Sequence, residues 1–349
     1  MLQTFYYNNI FNLENGAHLN KLKIAYNTYG KLNADKTNVI WVCHALTANS
    51  NVLEWWAGLF GENNLYNPNN YFIICANNIG SCYGSTGPLA INAETNKPYF
   101  NGFPLLTIKD IANAFNLLRL HLGLTEINTL VGGSQGGQIA LEWALAQNTV
   151  FNNLILLATN AQHSPWGIAF NESQRLAIFA DATYKTNTAN AAQSGLAAAR
   201  SIALLSYRHY NTYANAQQEK TNNKSADFLA ASYQRYQGQK LVARFNAYSY
   251  VTLLNAMDSH NIARNNGNTT KNILKQIKAK TLVIGIATDI LFPLSEQQFL
   301  ADNINNAQLV IITSIYGHDG FLIETKQITN AIVNFYSNKG SLNKKYISV

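Results

Sequence analysis

The stretch Thr129 to Ala146, TLVGGSQGGQIALEWALA, limits what this chain can fold into more than any other. A short apolar run, Thr129-Leu130-Val131, leads into Gly132-Gly133-Ser134-Gln135-Gly136-Gly137 and then into Ile139, Leu141, Trp143 and Leu145. This reads as a strand, a tight turn and a helix. The turn fits G-x-S-x-G, in which a serine sits on a strained strand-to-helix corner with its hydroxyl raised above the sheet. Such a corner leaves no room for a β-carbon at Gly132 and Gly136. The helix start beside the serine offers free N–H groups and a positive dipole end where an oxyanion would develop. A phosphate loop is the competing use of so much glycine, but it would end in Gly-Lys-Ser/Thr, and no lysine is present here.

The flanking chain supplies a sheet. Val39 to His44 and Tyr71 to Cys75 are continuous apolar runs, as strands buried on both faces of a mostly parallel sheet require. Asn153 to Ala158, Thr281 to Ile286 and Gln308 to Thr313 add further strands. Within residues 1–30, alternation such as Leu22, Ile24, Tyr26 and Thr28 predicts two antiparallel strands at the leading edge. Thr107 to Asp110 has a capping-box form, and Ile111, Phe115, Leu118 and Leu122 recur at helical spacing after it. From His163 to Arg264, Ala, Gln, Asn, Arg and Tyr replace the strand pattern, which predicts an all-helical insertion. The expected division is an α/β core over 1–162, a helical lid over 163–269, and the second part of the core over 270–349.

Composition excludes several classes. Hydrophobic residues at 47% suffice for a large core, which argues against disorder. The formal charge of +7 is spread along the chain rather than clustered, so a nucleic-acid surface is not expected. A mild positive field suits an anionic substrate such as an acyl-CoA. Cys43, Cys75 and Cys82 lack metal-ligand spacing and read as reduced thiols, and no metal site is expected. With no export signal at the N-terminus and no apolar run of spanning length, the expectation is a cytoplasmic protein off the membrane.

An activated serine needs a base, and the base needs an orienting carboxylate. In the α/β-hydrolase arrangement these follow the serine as acid and then histidine, each on a loop after a late strand. Asp289 lies just after the strand Thr281 to Ile286, and His318 just after Gln308 to Thr313. Of the other histidines, His18, His121, His163, His209 and His260 fall in presumed surface strands or helices, where structural roles are expected. His44 borders the loop after the first buried strand and is expected to line the site without acting as base. The oxyanion donors expected are the backbone N–H groups of Gln135 and Leu46.

With these residues in place, the sequence resembles the homoserine O-acetyltransferase family of the α/β-hydrolase superfamily along nearly its whole length. The resemblance rests on His44-Ala45-Leu46-Thr47, Tyr83 to Pro88, Gly132 to Gly137 with Ala140 to Ala144, and Ala169-Phe170-Asn171-Glu172. It continues through Arg244-Phe245-Asn246-Ala247, Ser249-Tyr250, Asp289 with Phe292-Pro293, and Gly317-His318-Asp319. It implies that Ser134 is acylated by an acyl-CoA and that the acyl group passes to the hydroxyl of homoserine. His318 would serve as base and Asp289 would orient it. It also implies that Arg200 and Tyr207 hold the amino acid's carboxylate and Asp319 its amino group, with a guanidinium fork for the anion and a carboxylate for the ammonium. The family is often a homodimer, which is likewise an expectation. Two sites depart from its pattern. Ala48-Asn49 stands where Gly-Ser is usual, which bears on loop flexibility. Gln135 stands where methionine is frequent, which places a polar side chain near the acyl pocket.

The expected function is therefore acyl transfer from acetyl-CoA to L-homoserine in methionine biosynthesis, with acyl-CoA as co-substrate and no resident cofactor. Succinyl-CoA as donor, serine as acceptor, and an esterase on the same residues are the alternatives. A non-catalytic binding protein has no need of Ser134, Asp289 and His318 together.

Overall fold

The computed structural model describes residues 1–337 and 346–348. Nine strands of the described residues form one sheet. They are β1 (Leu2–Tyr7), β2 (Leu22–Tyr29), β3 (Val39–Cys43), β4 (Phe72–Ala76), β5 (Ile127–Gly133), β6 (Phe151–Leu157), β7 (Lys280–Ile286), β8 (Ala307–Ile312) and β9 (Tyr346–Ser348). Their spatial order is β1-β2-β4-β3-β5-β6-β7-β8-β9. β1 pairs antiparallel with β2, and β2 antiparallel with β4, while every later pairing is parallel. The two antiparallel strands read from residues 1–30 are thus β1 and β2. A small hairpin, Phe11–Asn12 with His18–Leu19, lies between them in sequence.

Both faces of the parallel part are buried, which is why its strands read as unbroken apolar runs. Along β3, Val39, Trp41 and Cys43 enter the core on one face, and Ile40 and Val42 enter the core on the other. α1 (Ile108–His121) begins with the capping box expected at Thr107, whose side chain accepts from the Asp110 N–H while the Asp110 carboxylate accepts from the Thr107 N–H. α2 (Gln135–Ala146) is anchored under the sheet by Trp143, whose ring meets Trp41 edge-on at 4.9 Å and Phe151 at 5.0 Å. That anchoring fixes the start of α2, and with it Ser134, relative to β3 and β5.

Between β6 and β7 the chain forms helices joined by loops, the longest over residues 217–228 and 259–269, with one isolated bridge, Gln162 with Asn261. It forms α3 (Pro165–Phe179), α4 (Gln193–Tyr207), α5 (Tyr210–Ala216), α6 (Leu229–Val242) and α7 (Ala247–Asp258). Each of α3, α5 and α7 starts with a side-chain cap, from Ser164, His209 and Asn246 respectively. α8 (Leu294–Asn303) and α9 (Thr325–Ser337) flank the last parallel strands.

Candidate active site

Ser134 occupies the corner between β5 and α2 with φ +57° and ψ −128°, a conformation a side chain rarely adopts. Close packing enforces it. A β-carbon on Gly132 would run into the Gly136 backbone, and one on Gly136 would run into the Cys43 carbonyl. The Ser134 side chain caps none of the helix N–H groups, so its hydroxyl is left for chemistry. It opens into a cavity of about 370 Å³ lined also by Leu46, Thr47, Arg200, Tyr207, Arg244, His318 and Asp319.

Asp289 and His318 come from the loops after β7 and β8. His318 Nδ1 lies 2.6 Å from Asp289 Oδ2. The other carboxylate oxygen accepts from the N–H groups of Leu291 at 2.8 Å and Phe292 at 2.9 Å, which fixes the carboxylate's direction. With Nδ1 occupied, His318 Nε2 is the nitrogen left for a substrate or for Ser134. The imidazole is stacked on Phe292 at 5.2 Å and faces Phe321 and Tyr207 on its other sides. Burial works against its protonation, but the Asp289 carboxylate, with Asp319 adding to it, raises its pKa above the ordinary histidine value.

The two expected oxyanion donors border this cavity or its nucleophile. Among the described residues, neither the Leu46 N–H nor the Gln135 N–H has a hydrogen-bond partner. Unpaired amides beside a strained serine can receive a developing negative charge. The loop carrying Leu46 is held by several bonds: Ala48 N–H to Ala45 O at 3.0 Å, Trp55 Nε1 to Asn49 O at 2.8 Å, and the Arg244 guanidinium to Thr47 O.

Arg200 and Tyr207 lie on one side of α4, with the guanidinium 5.5 Å from the Tyr207 ring centre. Asp319 follows His318 and lines the same cavity. The structure therefore gathers all the expected side chains around one space, Ser134, Asp289, His318, Leu46, Arg200, Tyr207 and Asp319, with Asp289 behind the histidine.

Three expectations are corrected. The Gln135 side chain does not approach the acyl pocket. It is fully buried, with Nε2 donating to Leu253 O at 3.1 Å and Oε1 accepting from Asn78 Nδ2 at 3.3 Å, because the first turn of α2 points it into the core. His44 does not line the cavity. Its ring is buried between Ala45 O and the Asn78 N–H, and burial lowers its pKa to about 4, so it is neutral. His163 and His260 are not on the surface but buried, at 2% and 1% exposure. His163 bonds to Gln138 and Asn171 and His260 to Asn160 O. Sequence reading also passed over Arg244 and Arg208. The only signal for Arg244 was its place in a family-like block, and Arg208 gave no signal beyond adjacency to Tyr207.

Among the described residues no helix is long and apolar enough to cross a membrane, and no group of His, Cys, Asp or Glu could hold a metal ion.

A serine on a strained elbow, a buried histidine–aspartate pair and a parallel sheet with a helical insertion define an α/β-hydrolase-fold protein. A family model described as the alpha/beta hydrolase fold matches residues 38–325. Homoserine O-acetyltransferase of Cyclobacterium marinum is 48% identical over 334 residues, covering 96% of this chain and 95% of that one. The chain belongs to the homoserine O-acetyltransferase family. Among solved structures, a homoserine O-acetyltransferase from Bacillus anthracis superposes with a TM-score of 0.89 at 23% identity, covering 98% of each chain. Esterase E22 superposes with a TM-score of 0.84 at 22% identity, covering 96% of this chain and 100% of that one. At such identities these two establish the fold alone.

Proposed function

We propose that this protein transfers an acetyl group from acetyl-CoA to the hydroxyl of L-homoserine through an acetyl-Ser134 intermediate, a step of methionine biosynthesis. The observation that carries the reading is that Arg200 and Asp319, opposite charges suited to the two ends of an amino acid, share one cavity with Ser134 and His318. An esterase has no use for such a pair.

In the first half-reaction His318 Nε2 takes the proton of Ser134 as Oγ attacks the thioester carbon. The Leu46 and Gln135 N–H groups receive the oxyanion, and the thiol leaves with the proton from His318. In the second, His318 takes the proton of the homoserine hydroxyl, which attacks the acetyl-serine, and Ser134 leaves reprotonated. Arg200, with Tyr207 beside it, holds the acceptor's carboxylate and Asp319 its ammonium. This chemistry needs side chains, backbone amides and the co-substrate, and no resident cofactor. Residues 163–269 act as a lid that keeps water from the acyl-enzyme, since Arg200, Tyr207 and Arg244 reach the cavity from there. A homodimer is part of the proposal, supported by the exposed Trp166, Leu176 and Phe179 of α3, as is a cytoplasmic location.

Release of CoA from acetyl-CoA or succinyl-CoA, with L-homoserine, L-serine or no acceptor, tests the reading against a Ser134→Ala control. Homoserine-dependent release that the control lacks supports it and names the donor. Release indifferent to the acceptor would make the protein a hydrolase.

A further inference from the structure

Asp319 has a partner that the acceptor-binding reading does not use. Its Oδ2 lies 2.6 Å from Nε of Arg208, the residue that caps the C-terminal end of α4, and the two side chains are only 15% and 22% exposed. Arg208 does not line the catalytic cavity. It borders a separate cleft with Thr212, Tyr213 and Tyr233. The arginine thus approaches Asp319 from behind while the carboxylate looks into the space beside Ser134. Among the described residues this ion pair is the only one at Asp319, and no other side-chain hydrogen bond reaches its carboxylate.

The pairing is built in by the backbone. Gly317 has φ +65°, and a β-carbon there would come within 2.9 Å of His209 N and 3.0 Å of Arg208 C. The Thr212 hydroxyl donates to Ile315 O. The end of α4 and the loop carrying His318 are therefore docked through the Arg208–His209 main chain and Thr212, contacts that do not depend on the Arg208 side chain.

Two effects oppose each other at Asp319. An arginine on one oxygen weakens the pull of that carboxylate on an ammonium. Without the arginine, a carboxyl so far out of water would tend to take up a proton and lose its charge altogether. The second effect is the larger one in a confined site, because a neutral acid cannot form the ion pair at all. Resting on the reading above that Asp319 receives the acceptor's ammonium, we propose that Arg208 is a positioning residue that sets acceptor specificity. Held on Oδ2, the carboxylate stays charged and turned so that Oδ1 meets the α-ammonium. The groups that face Asp319 are Arg208, Arg200 and Tyr207 from α4, Tyr213 from α5, and His318 from its own loop. Burial raises its pKa above the usual carboxylate value, and Arg208 is the strongest influence holding it down.

The test compares wild type, Arg208→Gln and Arg208→Lys with L-homoserine and with 4-hydroxybutanoate, which keeps the hydroxyl and carboxylate but lacks the amino group. Arg208→Gln is expected to raise KM for homoserine about tenfold and to erase most of the preference over 4-hydroxybutanoate. The burst of CoA release that reports acetylation of Ser134 should stay within about twofold of wild type. Below the limb set by His318, the decline of kcat/KM for homoserine should steepen in Arg208→Gln, since Asp319 freed of Arg208 holds its proton to higher pH. Arg208→Lys should recover most of each effect. In an Asp319→Asn background Arg208→Gln should add no further loss, and this arm decides the matter if the single variant is poorly folded. An unchanged preference and acid decline, equal loss in both half-reactions, or an additive loss in the Asp319→Asn background would overturn the role of Arg208 alone. Absence of homoserine-dependent release in the wild type would instead overturn the acyltransfer reading and this proposal with it.

Discussion

The 2.6 Å contact between His318 Nδ1 and Asp289 Oδ2 settles which imidazole nitrogen faces the cavity. Asp289 is itself immobilised by the N–H groups of Leu291 and Phe292, so its replacement has a sharp consequence. Asp289→Asn keeps the volume but places an NH₂ donor or a weaker acceptor against Nδ1. Turnover should fall by about 10³- to 10⁴-fold, as expected where the wrong tautomer is favoured. The pH profile gives a second readout. Activity needs the neutral imidazole, and Asp289 holds its pKa up, so wild-type kcat/KM should rise with pH through a value above the ordinary histidine range. In Asp289→Asn the residual activity should rise at lower pH. A limb that stayed in place would mean that another group sets it.

The elbow predicts its own intolerance. A β-carbon on Gly136 would strike the Cys43 carbonyl and lie 3.0 Å from His44 O, both of them main chain next to β3 that cannot swing aside. Gly136→Ala should cost on the order of 3 kcal/mol or more and lower soluble yield, readable as a drop in the urea midpoint. A midpoint equal to wild type would show that the α2 start can shift without disturbing the sheet.

These two cases mark what was legible in the chain. The elbow, Asp289 and His318 could be read because the chemistry of a strand-turn-helix corner is local and because loops after parallel strands converge at one edge of the sheet. The direction of Gln135 could not, since it depends on how the first turn of α2 sits against Asn78 and Leu253, residues distant in sequence. The buried states of His163 and His260 were missed for a related reason. Their partners Asn171, Gln138 and Asn160 come from separate elements, and a histidine in a polar-looking helical region carries no mark of burial. The roles of Arg208 and Arg244 were not legible, because their partners Asp319 and Thr47 are distant in sequence.

Glu296, in the first turn of α8, accepts from Asn160 Nδ2 at 3.0 Å and lies close enough to Asp289 to feel its charge. Burial is the main cause, with Asp289 adding to it, of a pKa raised to about 7. The folded state therefore holds a proton that the unfolded chain gives up at ordinary carboxylate pH. Stability should fall as pH rises from that range through about 7. Glu296→Gln removes the penalty. It should match wild type below pH ~4 and exceed it at pH ~8 by on the order of 1 kcal/mol, allowing for partial solvent screening. Denaturant titrations at the two pH values check this, and a gain of equal size at both would assign the effect to packing.

Arg244 offers the last prediction, because two of its possible roles differ in which kinetic constant they move. Its guanidinium donates to Thr47 O and to the Tyr83 hydroxyl, and Nη2 is 3.5 Å from Thr47 Oγ1. Thr47 follows Leu46, whose N–H is one of the two proposed oxyanion donors, so the bond grips the loop one residue from where alignment matters. Removing an oxyanion donor outright costs about 10²- to 10³-fold in kcat, so loosening one by Arg244→Met should cost about 10- to 100-fold in acetylation of Ser134. The melting temperature should change little, because the residue is exposed. Tyr83→Phe leaves the bond to Thr47 intact and should cost only a few-fold. If Arg244 instead contacts the donor directly, Arg244→Met would raise KM for acetyl-CoA and leave kcat unchanged. If the two variants behave alike, the contact with Tyr83, and not the hold on Thr47, is what the site requires.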